Sequence, residues 1–130
     1  MKRLIIAVAV VLICASAYSQ DRNVMQNGPK TEISADDFAI ISDEVKEGVR
    51  YVKATPCAKV CSKMIDIQIK DGIILSVVYT RGCEGNAKGI GALIKGMSVE
   101  EAIRRLEGIT CGKRGTSCPD QLSRILKSLN

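Results

Sequence analysis

From Val60 onward the hydrophobic and polar positions fall into readable periods. Ile65, Ile67 and Ile69 alternate with Asp66, Gln68 and Lys70, the period of two that a strand shows when one face is buried and the other wet. Asp71-Gly72 follows, a pair suited to a tight hairpin turn, and the run IILSVVYT (73–80) forms the return strand. That run is apolar on both faces, which predicts a more central place in the sheet. Upstream the pattern is weaker. Val49 and Tyr51, with residues 38–41 ahead of them, allow a third strand. Residues 21–35 are polar, with Asn-Gly-Pro in the middle, and read as a linker. The segment 21–49 is therefore read as linker and poorly defined N-terminal stretch, and 50–130 as the folded domain.

After the hairpin the period changes. RGCEGNAKGIGALIKG contains Gly82, Gly85, Gly89 and Gly91. It predicts a glycine-rich loop entering a short helix that bears Ile90, Leu93 and Ile94, with Gly96 as its stop. Ser98-Val99-Glu100-Glu101 has the form of a capping box, and Val99, Ala102, Ile103 and Leu106 make one apolar stripe. Gly108 ends that helix. A last helix starts at Pro119 and buries Leu122, Ile125, Leu126 and Leu129; both stripes read as plain core packing. A hairpin followed by three helices predicts an α+β fold: a small antiparallel sheet, with or without the third strand, and three helices packed on one face.

The first twenty residues do not belong to that domain. MKRLIIAVAVVLICASAYSQ has a basic start, an apolar run and a small-residue Ala15-Ser16-Ala17 site, the features of a cleaved signal peptide. Its apolar stretch is short for a membrane span, so the mature chain is expected to have no stable one. Leu12-Ile13-Cys14 lacks the small residue that a lipoprotein signal places before its cysteine, and Cys14 reads as hydrophobic filler. Removing 1–20 takes away Lys2 and Arg3 and no acid, so the net charge falls from +5 to +3. Such a weak, scattered excess does not argue for direct nucleic-acid binding.

With 46% hydrophobic residues but only 3% aromatics, the core must be built from Ile, Val and Leu. Histidine is absent, which removes imidazole acid/base chemistry and leaves thiolates and carboxylates as the metal ligands to hand. Five cysteines lie beyond the leader: Cys57, Cys61, Cys83, Cys111 and Cys118. An odd number cannot pair fully within one exported chain, so four plus one is the natural division. Cys61, Cys83, Cys111 and Cys118 fall at element ends or in glycine-rich loops, where backbone can bend around a shared centre. Cys118 is predicted at the N-cap of the last helix with Pro119 at N1, where free N–H groups and the helix dipole favour a thiolate. Four thiolates suit a closed, structural zinc site. However, the spacings match no paired C-x-x-C knuckles, and the leader favours two disulfides. The residues alone leave these two readings on an equal footing, with buried free thiols behind them. Cys57 and Cys61 as a local redox pair are a minor option, since their spacing is wider than C-x-x-C. The glycines around Cys83 lack the pattern of a nucleotide loop and are read as room for backbone to approach a cysteine-bound centre.

Three stretches, VCSKMIDIQIKDGII, RGCEGNAKGIGALIKGMSVEEAI and GITCGKRGTSCPDQL, resemble in order the TSCPD domain family. Its name spells out Thr116-Ser117-Cys118-Pro119-Asp120. The resemblance covers about residues 50–129. Members of that family occur as small stand-alone proteins and as a region near the C-terminus of cobalamin-dependent class II ribonucleotide reductases. The resemblance implies four recurrent cysteines that bind zinc, here Cys61, Cys83, Cys111 and Cys118, with Cys57 extra. Two glycines of the family pattern are replaced by basic residues, in Arg81-Gly82-Cys83 and Lys59-Val60-Cys61; both would favour nearby thiolates. The leader is a third departure, because ribonucleotide reduction is cytosolic.

The expectation is therefore a cysteine-ligated accessory module, with zinc as its cofactor and another protein, such as a reductase-like enzyme, as its partner. No residue is assigned a catalytic role. A chain of 130 residues has no room for a radical-bearing barrel, so a ribonucleoside-diphosphate reductase label, with its role in DNA precursor synthesis, would be inherited from the fusion. Location follows the same division: exported if the leader is cleaved, cytoplasmic by resemblance. Other classes stay open, namely a disulfide-stapled secreted interaction domain and an iron–sulfur carrier, since CEGN and ALIKGMSVEEA are also similar to iron–sulfur scaffold proteins. Asp120 is expected either to orient the Cys118 loop or to serve as an ordinary helix-start acid.

Overall fold

A computed structural model describes residues 37–130; the expected leader (1–20) and linker (21–35) lie outside them. Four strands form one antiparallel sheet in the order of the chain: β1 (Ala39–Lys46), β2 (Val49–Thr55), β3 (Met64–Lys70) and β4 (Ile73–Thr80). Three helices follow, α1 (Glu84–Ile94), α2 (Val99–Leu106) and α3 (Cys118–Ser128), with a single 3₁₀ turn at Gly112–Arg114 between the last two. The α+β class is as predicted, but the sheet is larger than a hairpin with an optional third strand. β1 lies in the segment read as linker and poorly defined N-terminal stretch, of which only residues 38–41, ahead of Val49, are allowed to a possible third strand. It escapes a periodicity reading because it is mostly exposed and its register is interrupted by an irregularity between Ile40 and Ser42. Its turn to β2 is Glu47-Gly48, with φ of 53° and 77°, the same pair of positive angles that Asp71-Gly72 (51° and 73°) supplies between β3 and β4. Two consecutive positive φ values match the twist of an antiparallel hairpin. A glutamate there gives less warning than an aspartate would.

The core is one aliphatic cluster. Val52, Ala54, Ile65, Ile67, Ile74 and Val77 of the sheet meet Ile94, Val99, Ala102, Ile103, Leu106, Leu122, Ile125 and Leu126 of the helices. The predicted stripes of α2 and α3 are thus the packed faces. β4 is an edge strand, contrary to its predicted central place. Its apolar character on both faces reflects α1 packed directly on it, while Ile73 and Val78 remain exposed. Gly91 makes that approach possible, because a Cβ there would stand 2.5 Å from the Val77 carbonyl oxygen. α1 begins directly after Cys83, so Gly85, Gly89 and Gly91 are helical rather than loop. Ser98 caps α2, its hydroxyl accepting the Glu101 N–H at 3.2 Å. Arg50 closes the other end of the molecule. It donates twice to Asp43 (2.8 and 2.6 Å) and once to the Leu129 carbonyl (2.7 Å), tying the first hairpin to the end of α3. Among the described residues no helix is long and apolar enough to cross a membrane.

Candidate functional site: a thiol-lined cavity

Four chain segments converge at one end of the sheet, and each brings one cysteine. Cys61 lies in the loop leading into β3, Cys83 caps α1, Cys111 precedes the 3₁₀ turn, and Cys118 opens α3. All four line a single cavity of about 410 Å³, together with an apolar wall that includes Tyr79, Ile90 and Leu93. Cys57 does not line it. It is buried against α3, where its backbone N–H donates to the Gln121 side chain at 3.0 Å. The division into four cysteines plus one is therefore also a division in space.

The loops meet because of Gly82. Its φ is +98°, and a Cβ on it would lie 3.3 Å from the Ser62 nitrogen and 3.5 Å from the Cys61 Cβ. Any side chain there would be strained by the backbone angle and would press the Cys83 loop away from the Cys61 loop. The sulfurs are not left bare. The Ser62 hydroxyl donates to Cys118 Sγ at 3.2 Å, and the Arg114 guanidinium donates to Cys61 Sγ at 3.0 Å. Arg114 in turn feels the negative field of Cys61 most, then Cys111 and Cys118, which raises its pKa above the ordinary arginine value. Cys83 stands at the N-cap position of α1 without a side-chain capping bond, and Cys118 stands in the first turn of α3.

The motif around Cys118 is a polar lock. Ser117, not Cys118, is the N-cap of α3; its hydroxyl accepts the Asp120 N–H at 3.2 Å and donates to the Ile109 carbonyl at 2.5 Å. The prediction placed the cap one residue late because Pro119 is tolerated at N2 as well as N1, so proline alone does not fix the cap. Cys118 is thus the first helical residue, with its backbone in the helix and its sulfur at the cavity. Asp120 is almost completely buried. Its carboxylate accepts the Gly108 N–H (2.8 Å), the Thr116 hydroxyl (2.6 Å) and the Arg124 guanidinium (2.9 Å). Burial pulls its pKa up, but the Thr116 hydroxyl, the Gly108 amide and Arg124 outweigh that and hold it below the ordinary carboxylate value. Gln121 donates to Thr116 at 3.1 Å, and the Cys111 N–H donates to the Thr116 carbonyl at 3.1 Å. Asp120 touches no sulfur. It closes the loop that carries Cys111 and ends at Cys118.

Pattern reading found the four cysteines but not their neighbours. The sequence drew attention to Arg81 and Lys59 as basic residues near the thiols; it gave no sign of Arg114, which lies inside the Cys111–Cys118 loop and donates to a sulfur. Ser62 directly follows Cys61, and that adjacency was the one available signal for it. Tyr79 carried none. Its hydroxyl is buried and has no hydrogen-bond partner. Burial, and then the Cys118 thiol close by, push its pKa well above the ordinary tyrosine value.

All five described cysteines are free thiols. The donor chemistry fits a tetrahedral thiolate metal site, with four soft ligands, two sulfurs already receiving hydrogen bonds, and a guanidinium to offset the negative charge. The spacing is open, however: among the described residues no three Cys, Asp or Glu side chains are grouped tightly enough to hold a metal ion. A family model for the TSCPD domain matches residues 39–130, from the first residue of β1 to the last residue of the chain. No curated protein and no solved structure matches it.

Proposed function

The chain belongs to the TSCPD domain family, and on that footing we propose that it is a metal-stabilised accessory module. It gathers Cys61, Cys83, Cys111 and Cys118 around one zinc ion and acts by docking on a protein partner, of which a ribonucleotide-reductase-like enzyme is the leading type. The observation that carries this reading is the convergence of those four cysteines, and not Cys57, on a single cavity from four separate segments. Zinc held by four thiolates would supply a cross-link between the segments and no open coordination position for catalysis. Three of the four thiols are exposed, and one of these, Cys111, stands on the loop between α2 and α3. Loading would therefore draw that loop inward from its open placement. If the leader is cleaved, the module works outside the cytoplasm and must receive its metal there or before export.

Native mass spectrometry with metal analysis on the mature domain, purified without reductant or chelator, tests the reading. One zinc per chain, lost in Cys111→Ser and in Cys118→Ser but kept in Cys57→Ser, is the expected result. No metal, with a mass lower by two hydrogens per bridge, would replace zinc with a disulfide frame. A coloured protein from anaerobic preparation would replace it with an iron–sulfur centre.

A further inference from the structure

The cysteine-bearing end of the molecule is one-sided in charge. Residues 56–63, 81–83 and 109–117, the loops that meet there, hold Lys59, Lys63, Arg81, Lys113 and Arg114 and no aspartate or glutamate. The cavity repeats the bias: Arg81 and Arg114 are its charged lining residues, and no acid lines it. Arg114 donates one N–H to Cys61 Sγ at 3.0 Å, and a guanidinium has five. Nothing among the described residues pairs with Arg81.

Arg81 also stands where an arginine is strained. Its φ is +64°, a left-handed angle that glycine adopts freely and a bulky side chain does not. Gly82 beside it needs such an angle to let the two cysteine loops approach, but the Arg81 side chain makes no bond that would hold the fold together. Strain of this kind gathers at ligand sites. The rest of the cavity wall is largely apolar. Val60, Ile90, Leu93, Ile109 and Pro119 line it with the thiols, and a neutral thiol packs like a small hydrophobe. Leu93 is 74% exposed and Ile109 43%, so two aliphatic side chains at this cavity lack cover. Its volume of about 410 Å³ lies within the range of small-molecule sites, about 300–1,000 Å³.

We propose that the cavity, in its metal-free form, binds a small aliphatic carboxylate, with the charge on Arg81 and Arg114 and the hydrocarbon chain along Ile90, Leu93 and Ile109. The planar fork of a guanidinium matches the two oxygens of a carboxylate. Two arginines, one of them already donating to a sulfur, suit a single negative charge rather than a polyphosphate, and the apolar wall suits a hydrocarbon body. No part of the fold has to move, and the inference does not rest on the zinc reading.

Titration of the reduced, metal-free protein with butanoate, hexanoate and octanoate, followed through amide chemical shifts, tests it. Saturable shifts should map to the cavity loops and the first turns of α1, and affinity should rise about fourfold for each CH₂ that the wall covers. Hexanol keeps the chain and lacks the charge; it should bind about tenfold more weakly than hexanoate. Arg81→Gly removes the cation at an angle that glycine prefers, so the urea midpoint should hold or rise while octanoate affinity falls about tenfold. Leu93→Gln, at an exposed position, should keep the fold and flatten the chain-length series.

That pattern would establish the carboxylate site. No saturable shifts at the cavity with octanoate would overturn it, as would an octanoate affinity unchanged in Arg81→Gly. Equal affinity along the chain-length series would also overturn it, and would mean that the basic end takes acid groups of any kind, as an acidic segment of a partner protein would present them. Zinc uptake, measured separately, decides the zinc reading by itself.

Discussion

Replacing Asp120 with asparagine tests whether the polar lock or the apolar stripe of α3 holds the Cys111–Cys118 loop in place. The substitution keeps the shape and removes the charge. One carboxylate oxygen faces the Gly108 N–H; the other faces the Thr116 hydroxyl and Arg124. An amide nitrogen on the first side would meet another N–H. On the second side it would meet the guanidinium and force the Thr116 hydroxyl to turn around. The second arrangement costs less, because the Arg124 side chain is 45% exposed and can swing into water. What remains is one charge-assisted bond lost, one reversed, and the Gly108 bond weakened to a neutral one. Loss of a hydrogen bond to a charged group costs about 1.5–3 kcal/mol, and the half-exposed Arg124 pair adds at most about 1 kcal/mol. A loss of about 2–3 kcal/mol follows. With a urea dependence of about 1–1.5 kcal/mol per molar for a domain of this size, the midpoint should fall by about 2 M.

The same experiment carries an internal control in pH. The Asp120 carboxyl is held below its ordinary pKa in the fold, so the folded state favours the charged form. Its stabilisation is complete above the unfolded carboxylate value of about 3.9 and fades as pH falls through the lower, folded value. The difference between parent and Asp120→Asn should therefore be full at pH 7 and shrink below about pH 4. Urea melts followed by far-UV circular dichroism, on reduced and metal-free protein, would measure both. A midpoint unchanged at pH 7, or a difference that persists undiminished at acid pH, would refute the argument that the carboxylate is the keystone of the loop.

Two further outcomes follow from local geometry. Gly91→Ala and Gly89→Ala, two positions apart on α1, should change stability in opposite directions: the first meets the Val77 carbonyl at 2.5 Å and the second meets nothing within 4 Å. Thermal melts should show Gly91→Ala destabilised by about 1–3 kcal/mol from overpacking and Gly89→Ala stabilised by about 0.5–1 kcal/mol from helix propensity; like signs would mean that α1 does not sit on β4 as described. Arg114→Met removes the donor to Cys61 Sγ while keeping the length of the side chain. Amide exchange of Cys111, whose N–H is held by Thr116, should accelerate while β2 and β3 keep their protection; exchange unchanged at Cys111 would show that the guanidinium does not fasten the loop.

The parts of the fold that could be read from the chain were those where one residue type answers to one physical demand. Ile65, Ile67 and Ile69 announce a half-buried strand because alternation has one cause, and Asp71-Gly72 announces its turn because few other pairs accept two positive φ angles. β1 fails that test. It buries almost nothing, its register breaks near Ile41, and its turn uses a glutamate, so each of its signals is weak alone and only pairing with β2 makes it a strand. β4 misled for the converse reason: its apolar run suggested cover on both faces, yet it is an edge strand with α1 packed on it and with Ile73 and Val78 left exposed. The site divides along the same line. Cysteine is rare enough that four at element ends imply a shared centre, and the structure does bring them to one cavity. What no pattern could supply is the relation between loops: Gly82 letting one cysteine loop lie against another, Arg114 reaching back to Cys61, and Asp120 spending its charge on Gly108 and Thr116 rather than on a sulfur. Those contacts join residues from 12 to 53 positions apart, or depend on which way a side chain turns. They exist only once the aliphatic core has set α3 against the sheet. The order of causation therefore runs from the core to the lock and from the lock to the thiols. A defect in the lock should loosen the cysteines without unfolding the core.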